Sequence, residues 1–84
     1  GNDNPEWGEF TGQTVEEFEG WGWLNAVHPD DRAFTAEAWK TAVETKSLFQ
    51  LEYRLRKYNG EYRYMLALGT PILNVDGSIR EWVG

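Results

Sequence analysis

The chain has 84 residues, a formal net charge of −6 and a pI of about 4.6. That length holds one small domain with a single core, since a chain of this size buries only about 60–65% of its unfolded surface. The acidity argues against a nucleic-acid partner, because nothing would neutralise a row of phosphates, and it disfavours an anionic membrane surface for the same reason.

With no cysteine in the chain, disulfides, thiolate metal sites, cysteine nucleophiles and cysteinyl–flavin adducts are all removed. No apolar run approaches the roughly 20 residues of a membrane span, and no signal peptide is visible. The unusual feature is the ring content. Five Trp, four Tyr and four Phe give a short chain large areas to bury, or a sticky face.

The N-terminal half reads as short helices. Asn4-Pro5-Glu6-Trp7 is a helix start, with Asn as cap, Pro at the first helical position and Glu at the positive end. Trp7 and Phe10 share a face of that turn, and Gly12 stops it. Thr14 and Glu17 have capping-box spacing, and Gly20 ends the second helix. Trp21, Trp23, Leu24 and Val27 form an apolar stretch leading to His28. Pro29 fits the first position of a longer helix, Asp30 and Asp31 fall in its first turn, and residues 33–45 continue it without Gly or Pro. Its predicted apolar stripe is Phe34, Ala38 and Ala42 at four-residue steps, with Trp39 and Val43 beside them.

From Phe49 the period changes to two. Phe49, Leu51, Tyr53 and Leu55 alternate with Gln50, Glu52, Arg54 and Arg56, the pattern of a half-buried strand. Asn59-Gly60 marks a turn, and a second strand runs from about Glu61 towards Thr70. Pro71 cannot donate to a ladder, so fraying or a bulge is expected there. Asp76-Gly77 marks another turn before a third strand over Ile79–Val83.

The register of the first hairpin follows from charge. A two-residue loop would set Arg56 opposite Arg63, a destabilising like-charge pair. A three-residue loop from Tyr58 to Gly60 with a glycine bulge avoids it, and sets Tyr53 opposite Met65 and Leu51 opposite Ala67. One sheet face then carries Leu51, Tyr53, Met65 and Ala67 and packs on the helices. The other carries Arg54, Arg56, Tyr62, Tyr64 and Leu66 and needs another cover. The weak point of this register is Leu55 facing Arg63.

At this point the chain resembles a PAS domain of the subgroup whose second half is called the PAC motif. The residues that carry the likeness are Trp-Leu-x-x-Val-His-Pro-Asp-Asp-Arg at 23–32 and Glu-Tyr-Arg-Leu-Arg at 52–56. Asn-Gly-Glu-Tyr-Arg-Tyr at 59–64, Asp76-Gly77, Glu81-Trp82-Val83-Gly84 and the first short helix at 4–12 match as well. The resemblance implies an α+β fold: an antiparallel sheet with short helices and one longer helix across one face. Three of the family's usual five strands are found here. Residues 1–84 are therefore expected to be a single PAS domain truncated at its N-terminus. The third strand would keep a bare edge able to recruit another chain.

His28 with Asp30 and Asp31 offers an imidazole and two carboxylates. Adjacent helical positions do not face one point, and no nucleophile motif accompanies the histidine. The better reading is structural: His28 ends one turn, while Asp30 and Asp31 satisfy free amides and complement the helix dipole. Neither catalytic residues nor a metal site are expected. The adjacent pairs Glu16-Glu17 and Asp30-Asp31 read as solvated helix ends rather than as acid and base flanking a cleft.

The family's haem binders carry a histidine on the long helix, and residues 32–45 hold none, so haem is not expected. Covalent flavin is excluded with cysteine. A non-covalent small molecule would occupy the family cleft, with Trp23, Phe34, Ala38, Phe49, Leu51, Tyr53, Met65 and Ala67 as expected lining. The bland alternative is that these side chains only fill a core.

The expected function is a sensory and interaction module of a larger signal-transduction protein, such as a sensor histidine kinase or diguanylate cyclase. It would be cytoplasmic, in a parent free to be membrane-bound, and not itself an enzyme. Its partner is expected to be a second copy, through the exposed edge or the face of Arg54, Arg56, Tyr62, Tyr64 and Leu66. The alternative is a carbohydrate-binding module displaying aromatic rings. Against that, only Trp82 of the five Trp falls on a predicted strand.

Overall fold

Each predicted element forms, and the local bonds explain where each one starts and stops. The computed structural model describes residues 5–84. Helix α1 spans Pro5–Thr11 with Pro5 at its first position, while the Asn4 cap lies outside the described residues. Gly12 ends α1 at φ +77°, donating its N–H to the Gly8 carbonyl at 2.8 Å. Helix α2 is the single turn Val15–Phe18, held by the predicted box. Thr14 Oγ1 accepts from the Glu17 amide at 3.2 Å, and Glu17 Oε1 accepts from the Thr14 amide at 2.9 Å.

A 3-10 helix over Gly22–Ala26 follows, packed closely on α2. A Cβ at Gly22 would run into the Glu17 carbonyl oxygen, so only glycine fits that junction. Gln13 ties these pieces together. Its Oε1 accepts from Trp7 Nε1 at 2.8 Å, and its Nε2 donates to the Gly22 carbonyl at 3.1 Å.

The long helix starts one turn later than the sequence suggests. Pro29–Asp31 form a 3-10 turn, and helix α3 runs Arg32–Thr45, ending at Lys46 in the left-handed conformation. The α3 stripe is also rolled by about one residue. The buried positions are Asp31, Thr35 and Ala42, with Ala38 and Trp39 half-buried, whereas Phe34 is 46% and Val43 38% exposed. Period alone cannot distinguish these two stripes. The roll is set by Asp31, which is drawn inward to Arg54, and Thr35 lies one turn above it on the same face.

The sheet is antiparallel in the order β1-β2-β3, with β1 Phe49–Arg56, β2 Tyr62–Leu73 and β3 Ile79–Val83. The first hairpin has the three-residue loop and register expected: Tyr53 pairs Met65, Leu51 pairs Ala67 and Leu55 pairs Arg63. Gly60 takes φ +89°, which an L side chain adopts only with strain. The second strand does not fray at Pro71. It runs on to Leu73, with Pro71 opposite Trp82, and the register shifts only between Ile72 and Leu73. The physical reason is that β1 ends its pairing at Gly69. Beyond that point one side of β2 has no ladder to break.

The helices cover one face of the sheet. Ala26, Val27, Tyr53 and Leu55 form the buried centre, with Trp7, Phe10, Trp23, Leu24, Met65 and Ala67 packed around it. Within this core Thr35 is fully buried, and its hydroxyl has no hydrogen-bond partner among the described residues. Thr35→Val replaces that hydroxyl with a methyl of nearly the same shape. It is expected to raise Tm by about 5 °C, since an unsatisfied buried hydroxyl costs roughly 1 kcal/mol or more. An unchanged or lower Tm in calorimetry would count against an unpartnered hydroxyl.

Candidate functional site

The His-Pro-Asp-Asp-Arg run is a joint in which each residue makes a different bond. His28 Nδ1 accepts the Asp30 amide at 3.1 Å, so the imidazole itself caps the turn. Its ring also packs at 4.7 Å from that of Tyr62. Asp31, expected to satisfy helix amides, makes no cap bond. It accepts Arg54 Nε at 3.0 Å, the second guanidinium nitrogen at 2.7 Å and the Arg54 backbone N–H at 2.9 Å. Arg32 turns back to donate to the carbonyls of Val27 at 3.0 Å and Asn25 at 3.2 Å. Among the described residues no group of three His, Asp or Glu side chains is placed to hold a metal ion.

This joint also closes the free edge of β1. Val27 bridges Leu55, and the His28 N–H donates to the Arg54 carbonyl at 2.9 Å. The edge of β3 has no such cover among the described residues.

Between α1, Trp39 of α3 and the inner sheet face lies a groove of about 520 Å³, within the range of small-molecule sites. Four of the eight residues expected to line a cleft do line it: Phe49, Tyr53, Met65 and Ala67. Ala38 instead lines a smaller hollow of about 290 Å³ beside Phe49. Leu51 is half-buried but does not reach the groove, and Phe34 points to solvent because of the helix roll. Trp23 stands behind the wall, in edge contact with Trp7 and Trp39, both at 6.3 Å. Sequence reasoning missed Trp7, Phe10, Trp39 and Trp82, which supply the aromatic wall. Trp39 and Trp82 lie 4.7 Å apart, and Trp39 meets Phe49 edge-on at 5.2 Å. The available signal was the unusual number of Trp, but their convergence depends on the fold.

On the opposite face Tyr64 is 72% exposed, and Leu66 and Leu68, which also border the groove, are open to solvent. Arg56 and Tyr62 stand beside them across the strand pair. Arg54, expected on this face as a partner contact, is instead committed to Asp31. It retains a looser position over the Tyr64 ring, at 6.0 Å.

A three-stranded antiparallel sheet with helices on one face only, and an aromatic groove between them, define an α+β domain of PAS-like class. The chain belongs to the PAS fold family, which matches residues 3–84. It is similar to an uncharacterised protein, y4lL, of Sinorhizobium fredii, at 40% identity over 93% of this chain and 9% of that protein. It is 31% identical to the peroxide stress-activated histidine kinase mak1 of Schizosaccharomyces pombe, over 73% of this chain and 4% of the kinase. A solved sensory box histidine kinase/response regulator from Burkholderia thailandensis superposes with a TM-score of 0.57 at 33% identity, covering 64% of this chain and 41% of that one.

The chain thus spans less than a tenth of the proteins it matches by sequence. A PAS domain is a sensory module of signal transduction and not a catalytic one. The carbohydrate-binding alternative finds no support. The matched proteins of stated function are signalling proteins, and four of the five Trp are half-buried in the groove wall or behind it. No helix among the described residues is long and apolar enough to cross a membrane.

Two groups tie this architecture to pH. The Arg54 guanidinium holds the Asp31 carboxyl down to about 2, so the folded state favours the carboxylate. Its stabilisation is complete above the ordinary carboxylate value of 3.8 and is lost as pH falls towards 2. Asp31→Asn is expected to lower Tm at neutral pH by about 10 °C and to flatten the acid limb of the stability curve over that interval. Burial pushes the Tyr53 phenol up from 10.0 to about 12, so the folded state favours the neutral form. That stabilisation is intact below pH 10 and is lost as pH rises to 12. Tyr53→Phe should remove this part of alkaline unfolding, as read by circular dichroism across a pH titration.

Proposed function

We propose that this domain senses a small molecule in the aromatic groove and pairs with a second copy through the outer sheet face. It serves a larger signalling protein, a sensor histidine kinase or diguanylate cyclase, on the cytoplasmic side. Similarity to part of a histidine kinase and of the probable diguanylate cyclase DgcE of Escherichia coli, 29% identical over 74% of this chain and 6% of that protein, supports the parent class.

The observation that carries the reading is the alternation along β2. Met65 and Ala67 are half-buried against the groove, while Tyr64, Leu66 and Leu68 alternate with them and are exposed, Leu66 and Leu68 bordering the groove as well. Filling the groove therefore acts on the same strand that offers the partner surface. A ligand that fits one strand geometry better than another shifts the balance between paired and unpaired protomers.

The measurement is sedimentation velocity over a concentration series. The parent sequence should self-associate. Tyr64→Ala with Leu66→Lys should weaken that association more than tenfold, with little change in Tm because both side chains are already exposed. Association that survives the double substitution removes this face from the proposal.

A further inference from the structure

The groove's chemistry is specific about the sign of charge it accepts. Glu6 is the one ionised side chain that lines it, and no Lys, Arg or His does so. No ion pair neutralises Glu6 among the described residues. The segment that contributes Glu6, Trp7 and Phe10 to the groove is also one-sided in charge, since residues 5–31 hold seven Asp or Glu and no Lys or Arg. An anion in the groove would find no counter-charge and would meet a like one.

The walls point the same way. Trp7, Trp39 and Trp82 present indole rings, whose faces are the strongest natural acceptors of a cation. Deeper in, Tyr53 is 5% exposed, lines the groove, and has no hydrogen bond to its hydroxyl within the described protein. Thr35 Oγ1 is the one buried side-chain polar atom without a partner among the described residues, so the unpaired Tyr53 hydroxyl is not enclosed by protein and is accessible to a ligand. Like any phenol it is protonated through the neutral range, and burial pushes its pKa further up.

We propose that the groove binds a flat aromatic heterocycle carrying a positive charge. Its ring stacks on Trp39 and Trp82, its charge lies towards Glu6, and it hydrogen-bonds the Tyr53 hydroxyl where it has a suitable group. This rests on the ligand-sensing reading above and adds to it the chemical class of the ligand.

Three probes of matched size separate the charge from the shape: N-methylquinolinium as cation, quinoline as the neutral ring and 2-naphthoate as anion. Binding to the intact chain is read by calorimetry and by shifts of the Trp39 and Trp82 indole N–H resonances. The cation should bind about tenfold more tightly than the neutral ring, and the anion should not bind measurably. Glu6→Gln, on the exposed first turn of α1, should shrink the cation's advantage to about threefold and leave quinoline affinity unchanged. Trp82→Phe keeps a ring in the wall and should weaken the cation more than the neutral probe.

Equal affinity for all three probes, or preference for the anion, overturns the charge selection while leaving a ligand-binding groove in place. Binding by none of them overturns both readings of the groove. Unchanged cation affinity in Glu6→Gln and Trp82→Phe together, with binding elsewhere on the chain, overturns the assignment of the site.

Discussion

The bond between Asp31 and Arg54 joins the helical half of the chain to the sheet, and the rest of the structure is arranged around it. Both guanidinium contacts and the Arg54 backbone N–H converge on one carboxylate that is nearly buried. A charge in that position is tolerable only while its partner is present. The consequences are geometric as well as energetic. The pair fixes the start of α3, and with it which side of the helix faces inward. With His28 and Val27 it seals the edge of β1. An unsealed edge there would compete for other strands.

With the helices fixed in place, the aromatic residues have defined positions. All five Trp fall into one contiguous network, from exposed Trp21 through Trp23 to Trp7, Trp39 and Trp82. Such rings supply area and stiffness to a domain too short for a deep aliphatic core. They leave a groove rather than a filled interior because no described element covers the inner face beside β3. The same side chains that stabilise the fold therefore also form the wall on which a ligand would rest.

The sheet is one layer thick, and burial alternates along β2 from Tyr64 to Gly69. Under the proposed sensing role, a displacement of that strand by a bound molecule would be felt on the outer face with no intermediary. A Cβ at Gly69 would stand 3.4 Å from the Trp82 ring and 3.7 Å from the Phe49 Cβ. The packing there leaves little slack.

Much of this was legible from the sequence because it depends on neighbours along the chain or directly across a hairpin. The Thr14–Glu17 box, the glycine turns and the β1–β2 register follow from local geometry and from the cost of setting Arg56 against Arg63. The PAS assignment followed from short runs whose spacing reflects those same local bonds. Three things were decided only by the tertiary structure. The roll of α3 was decided by a carboxylate reaching a strand 23 residues away in sequence, and periodicity contains no information about such a partner. Arg54 was spent inside the fold for the same reason. The groove wall was assembled from Trp7, Trp39 and Trp82, which lie in three different elements. Their meeting depends on how helices dock on a sheet, a property of packing that no window along the chain contains.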